Sequence, residues 1–122
     1  MVVVDASALA AVVFSEPEGL EVLVALGDDS LSAPVILPLE LTNVARTKAR
    51  QRPVEAAVIR ENLKAGLSRP IAIIEVNFDA VFQLALDTGL TTYDASYLWL
   101  SRHIGAPLVT LDKKLAAHAK TF

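Results

Sequence analysis

Four carboxylates in this chain have the spacing to do chemistry together: Asp5, Glu40, Asp94 and Asp112. Asp5 closes the β-branched run Val2-Val3-Val4, Asp94 follows Leu90-Thr91-Thr92-Tyr93, and Asp112 follows Leu108-Val109-Thr110-Leu111. These three fall at strand-to-helix junctions, or close after one, on the edge where open α/β sheets place their ligands. Glu40 enters from the helix after the second strand. Carboxylates gathered this closely repel one another, and metal ions are what make such a gathering tolerable. Oxygen-only ligation selects a hard cation, Mg²⁺ or Mn²⁺. The main chemistry of a carboxylate-held pair of such ions is in-line attack on a phosphodiester.

Each acid also has a plainer reading. Asp5 and Asp112 precede helices and serve equally well as N-caps. Asp94 lies three residues after Thr91, which resembles a capping box with Asp in place of Glu. Glu40 suits the dipole of its helix, but it lies beside the core face and not opposite it. The four readings change only when the acids are taken as one site.

The elements that must position them alternate between strand and helix. Val2 to Val4 reads as a strand covered on both faces, followed almost without a loop by a helix over 7–14. Pro17 suits the first turn of a second helix, which runs to Leu26 and stops at Gly27. A short strand over 31–33 precedes Pro34 and Pro38, which bracket the approach to a long helix over 39–51. On it Leu37, Leu41, Val44 and Ala45 share a face. Pro53 opens a helix ending near Gly66, and 71–76 is the third strand. Helices over 78–88 and from Thr91 or Thr92 to Ile104 are closed by Gly89 and Gly105, a strand over 107–110 follows, and Asp112 begins the last helix. The alternation predicts one α/β domain over residues 1–122, with a central parallel sheet sandwiched between helices.

Composition narrows the class. Apolar residues make up 53% of the 122 positions and charged residues 20%, an apolar excess that calls for a partner to cover part of the surface. There is no cysteine, which excludes disulfides and thiolate metal sites. The apolar start lacks a basic segment and is interrupted by Asp5, so it does not read as a signal peptide. No run is long enough to span a membrane. A cytoplasmic protein is expected. The net charge of −3 hides a division: residues 1–45 carry seven acids and no base, whereas residues 46–69 carry seven bases and two acids. Such a chain can set an acidic pocket beside a basic wall.

Four blocks resemble the PIN-domain nucleases, and within them the compact VapC-type ribonuclease toxins of toxin–antitoxin pairs. They are Val3-Val4-Asp5-Ala6-Ser7-Ala8-Leu9, Pro38-Leu39-Glu40-Leu41-Thr42-Asn43-Val44, Leu90-Thr91-Thr92-Tyr93-Asp94-Ala95-Ser96-Tyr97-Leu98 and Leu108-Val109-Thr110-Leu111-Asp112-Lys113-Lys114-Leu115. The resemblance covers the whole chain. It implies a three-layer α/β/α sandwich around a parallel sheet of four to five strands. It also implies RNA cleavage with Mg²⁺ or Mn²⁺ at Asp5, Glu40, Asp94 and Asp112. Ser7 and Thr110 match hydroxyl positions beside the acids, Asn43 is taken as a further neighbour, and Asp112 stands where the family varies most. The implied partners are an RNA substrate, a VapB-like antitoxin and a second copy of the chain. The antitoxin is expected in an acidic, apolar-rimmed groove formed by the first two helices and the helix carrying Glu40.

The remaining candidates have bland readings. Tyr93, Tyr97 and Trp99 could stack on bases, but core packing is preferred for Tyr97 and Trp99. His103 and His118 lack metal-ligand spacing and read as surface residues. The bases Arg46, Lys48, Arg50 and Arg52 spread around their helix, with RNA contact by some of them left open. A haloacid-dehalogenase-like phosphatase needs a second Asp where Ser7 stands, and a receiver module needs an acid pair, a mid-chain acceptor and a strand-end Lys. A catalytically inert PIN-fold binding module remains the alternative.

Overall fold

The computed structural model describes residues 1–120. Its strands are β1 (Val2–Val4), β2 (Leu31–Pro34), β3 (Ile71–Ile74) and β4 (Leu108–Val109), and its helices are α1 (Ala6–Val13), α2 (Gly19–Leu26), α3 (Leu37–Gln51), α4 (Ala56–Leu67), α5 (Phe78–Thr88), α6 (Thr92–Ile104) and α7 (Lys113–Ala119). A turn of 3₁₀ helix over Pro53–Glu55 leads into α4.

All three strand pairings are parallel, and the strand order is β3-β2-β1-β4. The β-branched run predicts a strand buried on both faces, and Val2, Val3 and Val4 are all buried. Helix α1 packs on α2, α3 and α4, α3 packs on α4, α5 on α6 and α6 on α7, and α6 also lies against β1 and β2. The result is the expected α/β/α sandwich, with four strands. The chain runs from β1 outward to β2 and β3, then returns to the other side of β1 as β4. The strand order therefore reverses between β1 and β4, and a crevice opens outside the carboxyl ends of strands at such a reversal.

The differences from the sequence reading lie at element ends. The third strand stops at Ile74, not Val76, because its last partner is Pro34. The fourth shrinks to Leu108–Val109 because its neighbour turns into α1 after Val4, the partner of Val109. The second helix starts at Gly19, with Pro17 in the preceding turn. Gly19 is required there: a Cβ would stand 2.6 Å from the carbonyl oxygen of Ala11, so α2 crosses α1 at backbone contact. The third helix begins two residues early, at Leu37, with Pro38 in its first turn, where the missing N–H costs nothing.

The core joins both layers through the sheet. Leu9 and Ala11 of α1, Leu37 and Leu41 of α3, Leu98 and Leu100 of α6 and Leu115 of α7 are fully buried. Each leucine contributes about 1.5–3 kcal/mol of burial. Among the described residues no helix is long and apolar enough to cross a membrane.

Candidate active site

Asp5 is the first residue past β1 and is buried, with an extended backbone that caps α1. Its Oδ1 accepts from the Ala8 amide at 2.9 Å and from Ser7 Oγ at 2.7 Å, and its Oδ2 accepts from Thr110 Oγ1. Asp5 therefore caps α1 through one carboxyl oxygen and leaves the other to Thr110. Thr110 reaches it because Val4 pairs with Val109, which brings the residue after β4 beside the residue after β1. The two hydroxyls are themselves held from behind. The Leu111 amide donates to Ser7 Oγ at 3.0 Å and the Asp112 amide donates to Thr110 Oγ1 at 3.0 Å. A chain of amide to hydroxyl to carboxylate thus orients Asp5 from two sides, as outer groups orient ligating carboxylates.

Glu40 lies in the first turn of α3, half-buried. Tyr97 of α6 donates its hydroxyl to Glu40 Oε1 at 2.6 Å. Asp94 lies in the first turn of α6, where its amide donates to Thr91 Oγ1 at 3.1 Å. Asp112 caps α7, accepting from the Leu115 amide at 2.9 Å.

The acids feel one another. Burial raises the Asp5 carboxyl above its ordinary range, against the lowering pull of its three hydrogen bonds, and Asp94 raises it further. Burial raises Glu40, Tyr97 lowers it, and Asp94 and Asp5 add to the rise. Burial raises Asp94 and Asp112 repels it, while Lys114 and Thr91 pull it down. Asp5, Glu40 and Asp94 are thus mutually coupled, and Asp112 joins through Asp94. Among the described residues no three His, Cys, Asp or Glu side chains close on one point as a ready ion cage. The donor set nonetheless fits a hard divalent cation: every donor is a carboxylate oxygen, and the raised carboxyls mark a site short of positive charge.

Asn43 stands apart. It is exposed, and no hydrogen bond among the described residues joins its side chain to any of the four acids. Instead it lines a groove with Glu40, Arg46 and Tyr93. Tyr97 is 1% exposed, so core packing describes its ring, but that reading missed its hydroxyl. The available signal was a Tyr one helical turn after Asp94, where Phe would pack as well. Trp99 is only half-buried and stacks on the exposed His103, with ring centroids 4.5 Å apart. His118 is half-buried, and its carbonyl accepts from Arg102. Lys114 was also missed. It ties α7 to the Gly89 carbonyl at 3.1 Å and sets a positive charge near Asp94.

Comparison with known proteins bears on the family and the fold. The PIN domain family model matches residues 2–121. The chain belongs to the PIN-domain family. Two relatives from Pyrobaculum aerophilum are 36% identical to it. The match to ribonuclease VapC3 covers 93% of this chain and 91% of that protein. The match to exonuclease VapC9 covers 66% of this chain and spans only 61% of the length of that relative. The crystal structure of PAE2754, also from Pyrobaculum aerophilum, superposes with a TM-score of 0.78 at 31% identity, over 96% of this chain and 78% of that one. Mycobacterium tuberculosis VapC20, described as a sarcin-ricin loop cleaving toxin, shares the fold at a TM-score of 0.68. Its identity is 15%, over 96% of this chain and 94% of that one.

Proposed function

We propose that this PIN domain, a single domain over residues 1–122, is a Mg²⁺- or Mn²⁺-dependent endoribonuclease of the toxin type. The observation that carries the reading is Asp5: a carboxylate kept buried by Ser7, Thr110 and the Ala8 amide although Asp94 and Glu40 repel it. A cap alone calls for no such gathering of acids. The ribonuclease name of a relative covering most of the chain supports the same activity.

Asp5, Glu40 and Asp94 would hold the ion or ions, and Asp112 would contribute through its proximity to Asp94. The bound ions supply charge for the phosphoryl oxygens and a reactive water at neutral pH. Ser7 and Thr110 aim Asp5 and pull its carboxyl toward the charged form, against the burial that raises it. Tyr97 does the same for Glu40. Lys114 adds a positive charge where phosphate would approach Asp94.

The partners follow from the surface. A hollow of about 570 Å³, lined by Ser7, Ala10, Glu16, Glu18, Val44, Leu111 and Lys113, lies against Ser7, the hydroxyl partner of Asp5. Leu20 and Val24 are exposed on α2 nearby in sequence. This supports an antitoxin bearing apolar anchors and an Arg, which can engage carboxylates bidentately. Phe78, Phe82 and Leu86 form an exposed apolar row at helical spacing on α5 and support a homodimer.

The deciding assay uses a circular single-stranded RNA, which an exonuclease cannot open. Cleavage in Mg²⁺ or Mn²⁺, abolished by EDTA and by Asp94→Asn, is the expected result. Undiminished cleavage by Asp94→Asn overturns the site.

A further inference from the structure

A groove of about 690 Å³ runs from Glu40 along α3 and is walled on the other side by Tyr93. Its lining combines apolar surface from Ala6, Ile36, Leu39 and Val44 with the polar side chains of Asn43 and Arg46. Tyr93 is 58% exposed although it directly precedes Asp94, and its ring also walls a second hollow against Val35 and Phe78. No structural need places an aromatic ring in solvent there, since the core of α6 is supplied by Tyr97, Leu98 and Leu100.

We propose that this groove is the subsite for the nucleotide flanking the scissile phosphate, with its base on Tyr93 and its far phosphate on Arg46. The proposal rests on the ribonuclease reading and specifies which way the RNA leaves the acids. Arg46 lies six residues beyond Glu40 on α3, about 9 Å along the helix axis. Glu40 and Arg46 both line the groove, so a strand lying in it with one phosphate at the acids carries a later phosphate toward Arg46. Between the two anchors the apolar wall and the tyrosine ring offer a base the stacking platform that sequence-tolerant single-strand binders use. Asn43, one turn after Glu40, presents an amide able to donate to and accept from a base edge.

Charge decides against the opposite exit. The hollow on the other side of Val44 carries Glu16 and Glu18 against Lys113, and Glu16 already engages Lys48 at 2.8 Å. Its two acids are met by two bases, so it offers phosphate no net attraction. The Tyr93 groove holds one acid, Glu40, and that acid belongs to the reaction centre. The charge-paired hollow suits a peptide that brings its own partner for Glu18, and the Tyr93 groove with Arg46 suits a polyanion that stacks.

The test is fluorescence anisotropy with a short fluorescein-labelled single-stranded RNA of mixed sequence, with Ca²⁺ in place of Mg²⁺ or Mn²⁺. Tyr93→Ala is expected to weaken binding roughly tenfold, while Tyr93→Phe and Tyr93→Trp retain it. Arg46→Gln is expected to weaken binding and to lower the slope of log affinity against log salt by about one. In cleavage assays both losses should appear mainly in KM. Wild-type cleavage with unaltered affinity in Tyr93→Ala and Arg46→Gln overturns the subsite and leaves the ribonuclease reading standing. Variants that bind RNA normally but lose a cationic apolar peptide assign the groove to a protein partner and equally overturn it. Wild-type protein that neither binds nor cuts RNA overturns both.

Discussion

The Tyr97 hydroxyl donates to Glu40 Oε1 at 2.6 Å and thereby links α6 to α3 across fifty-seven positions of sequence. A phenol this deeply buried satisfies itself and fixes one oxygen of Glu40. Burial and the neighbouring carboxylate hold the Tyr97 phenol far above its ordinary range, so it remains a donor at every working pH. Tyr97→Phe is expected to fold, to lose about 1.5–3 kcal/mol measured by urea unfolding, and to bind Mn²⁺ more weakly by roughly tenfold or more. Calorimetric titration with Mn²⁺ checks the second effect, and unchanged affinity would remove Tyr97 from any positioning role.

Asp5→Asn separates stability from chemistry. The amide keeps an oxygen for Ser7 and the Ala8 amide, and it removes a buried charge repelled by Asp94. Metal-free protein is expected to melt at the same temperature as the wild type or higher. Cleavage should fall by more than about a hundredfold, since replacing an outer partner alone already costs ten to a hundredfold. A lower melting temperature would make Asp5 a structural cap first.

Stability should depend on pH in the direction set by the raised carboxyls. Asp5 and Asp94 lie above 3.8 and Glu40 above 4.5 in the folded chain. Between those ordinary values and the raised ones, the folded state binds more protons than the unfolded state. Stability then falls as pH rises through that window. Metal-free protein is expected to be more stable in mild acid than at neutral pH, and Mg²⁺ or Mn²⁺ should reverse the order by binding the ionised acids. Thermal melts with and without EDTA measure this, with Asp94→Asn showing a weaker dependence.

Gly19→Ala tests the backbone contact between α1 and α2. The added methyl meets the Ala11 carbonyl oxygen at 2.6 Å, a backbone atom that cannot swing away. A loss of about 1–3 kcal/mol is expected by urea unfolding, despite the better helix propensity of Ala. An increase in stability would mean that α2 shifts freely on α1.

Local chemistry made much of this legible in the chain. The run Val2-Val3-Val4 can be satisfied only between two covering layers, and glycines at 27, 89 and 105 take the positive φ that ends a helix. Thr91, Asp5 and Asp112 announce the starts of helices because their side chains answer amides three residues on. The four acids could be singled out for the same reason, each having a fixed place relative to its own strand or helix. Three-dimensional packing alone decided the rest. Strand ends depend on where the neighbouring strand stops, so Glu75 and Val76 left the ladder once Pro34 had no successor. The order β3-β2-β1-β4 set Thr110 against Asp5, a contact between residues 105 positions apart that no local pattern encodes. Tyr97 carried both a core ring and a site hydroxyl, and helical periodicity sees only the ring. Its hydroxyl acquires a role only because α3 packs close enough to bring Glu40 within hydrogen-bonding distance.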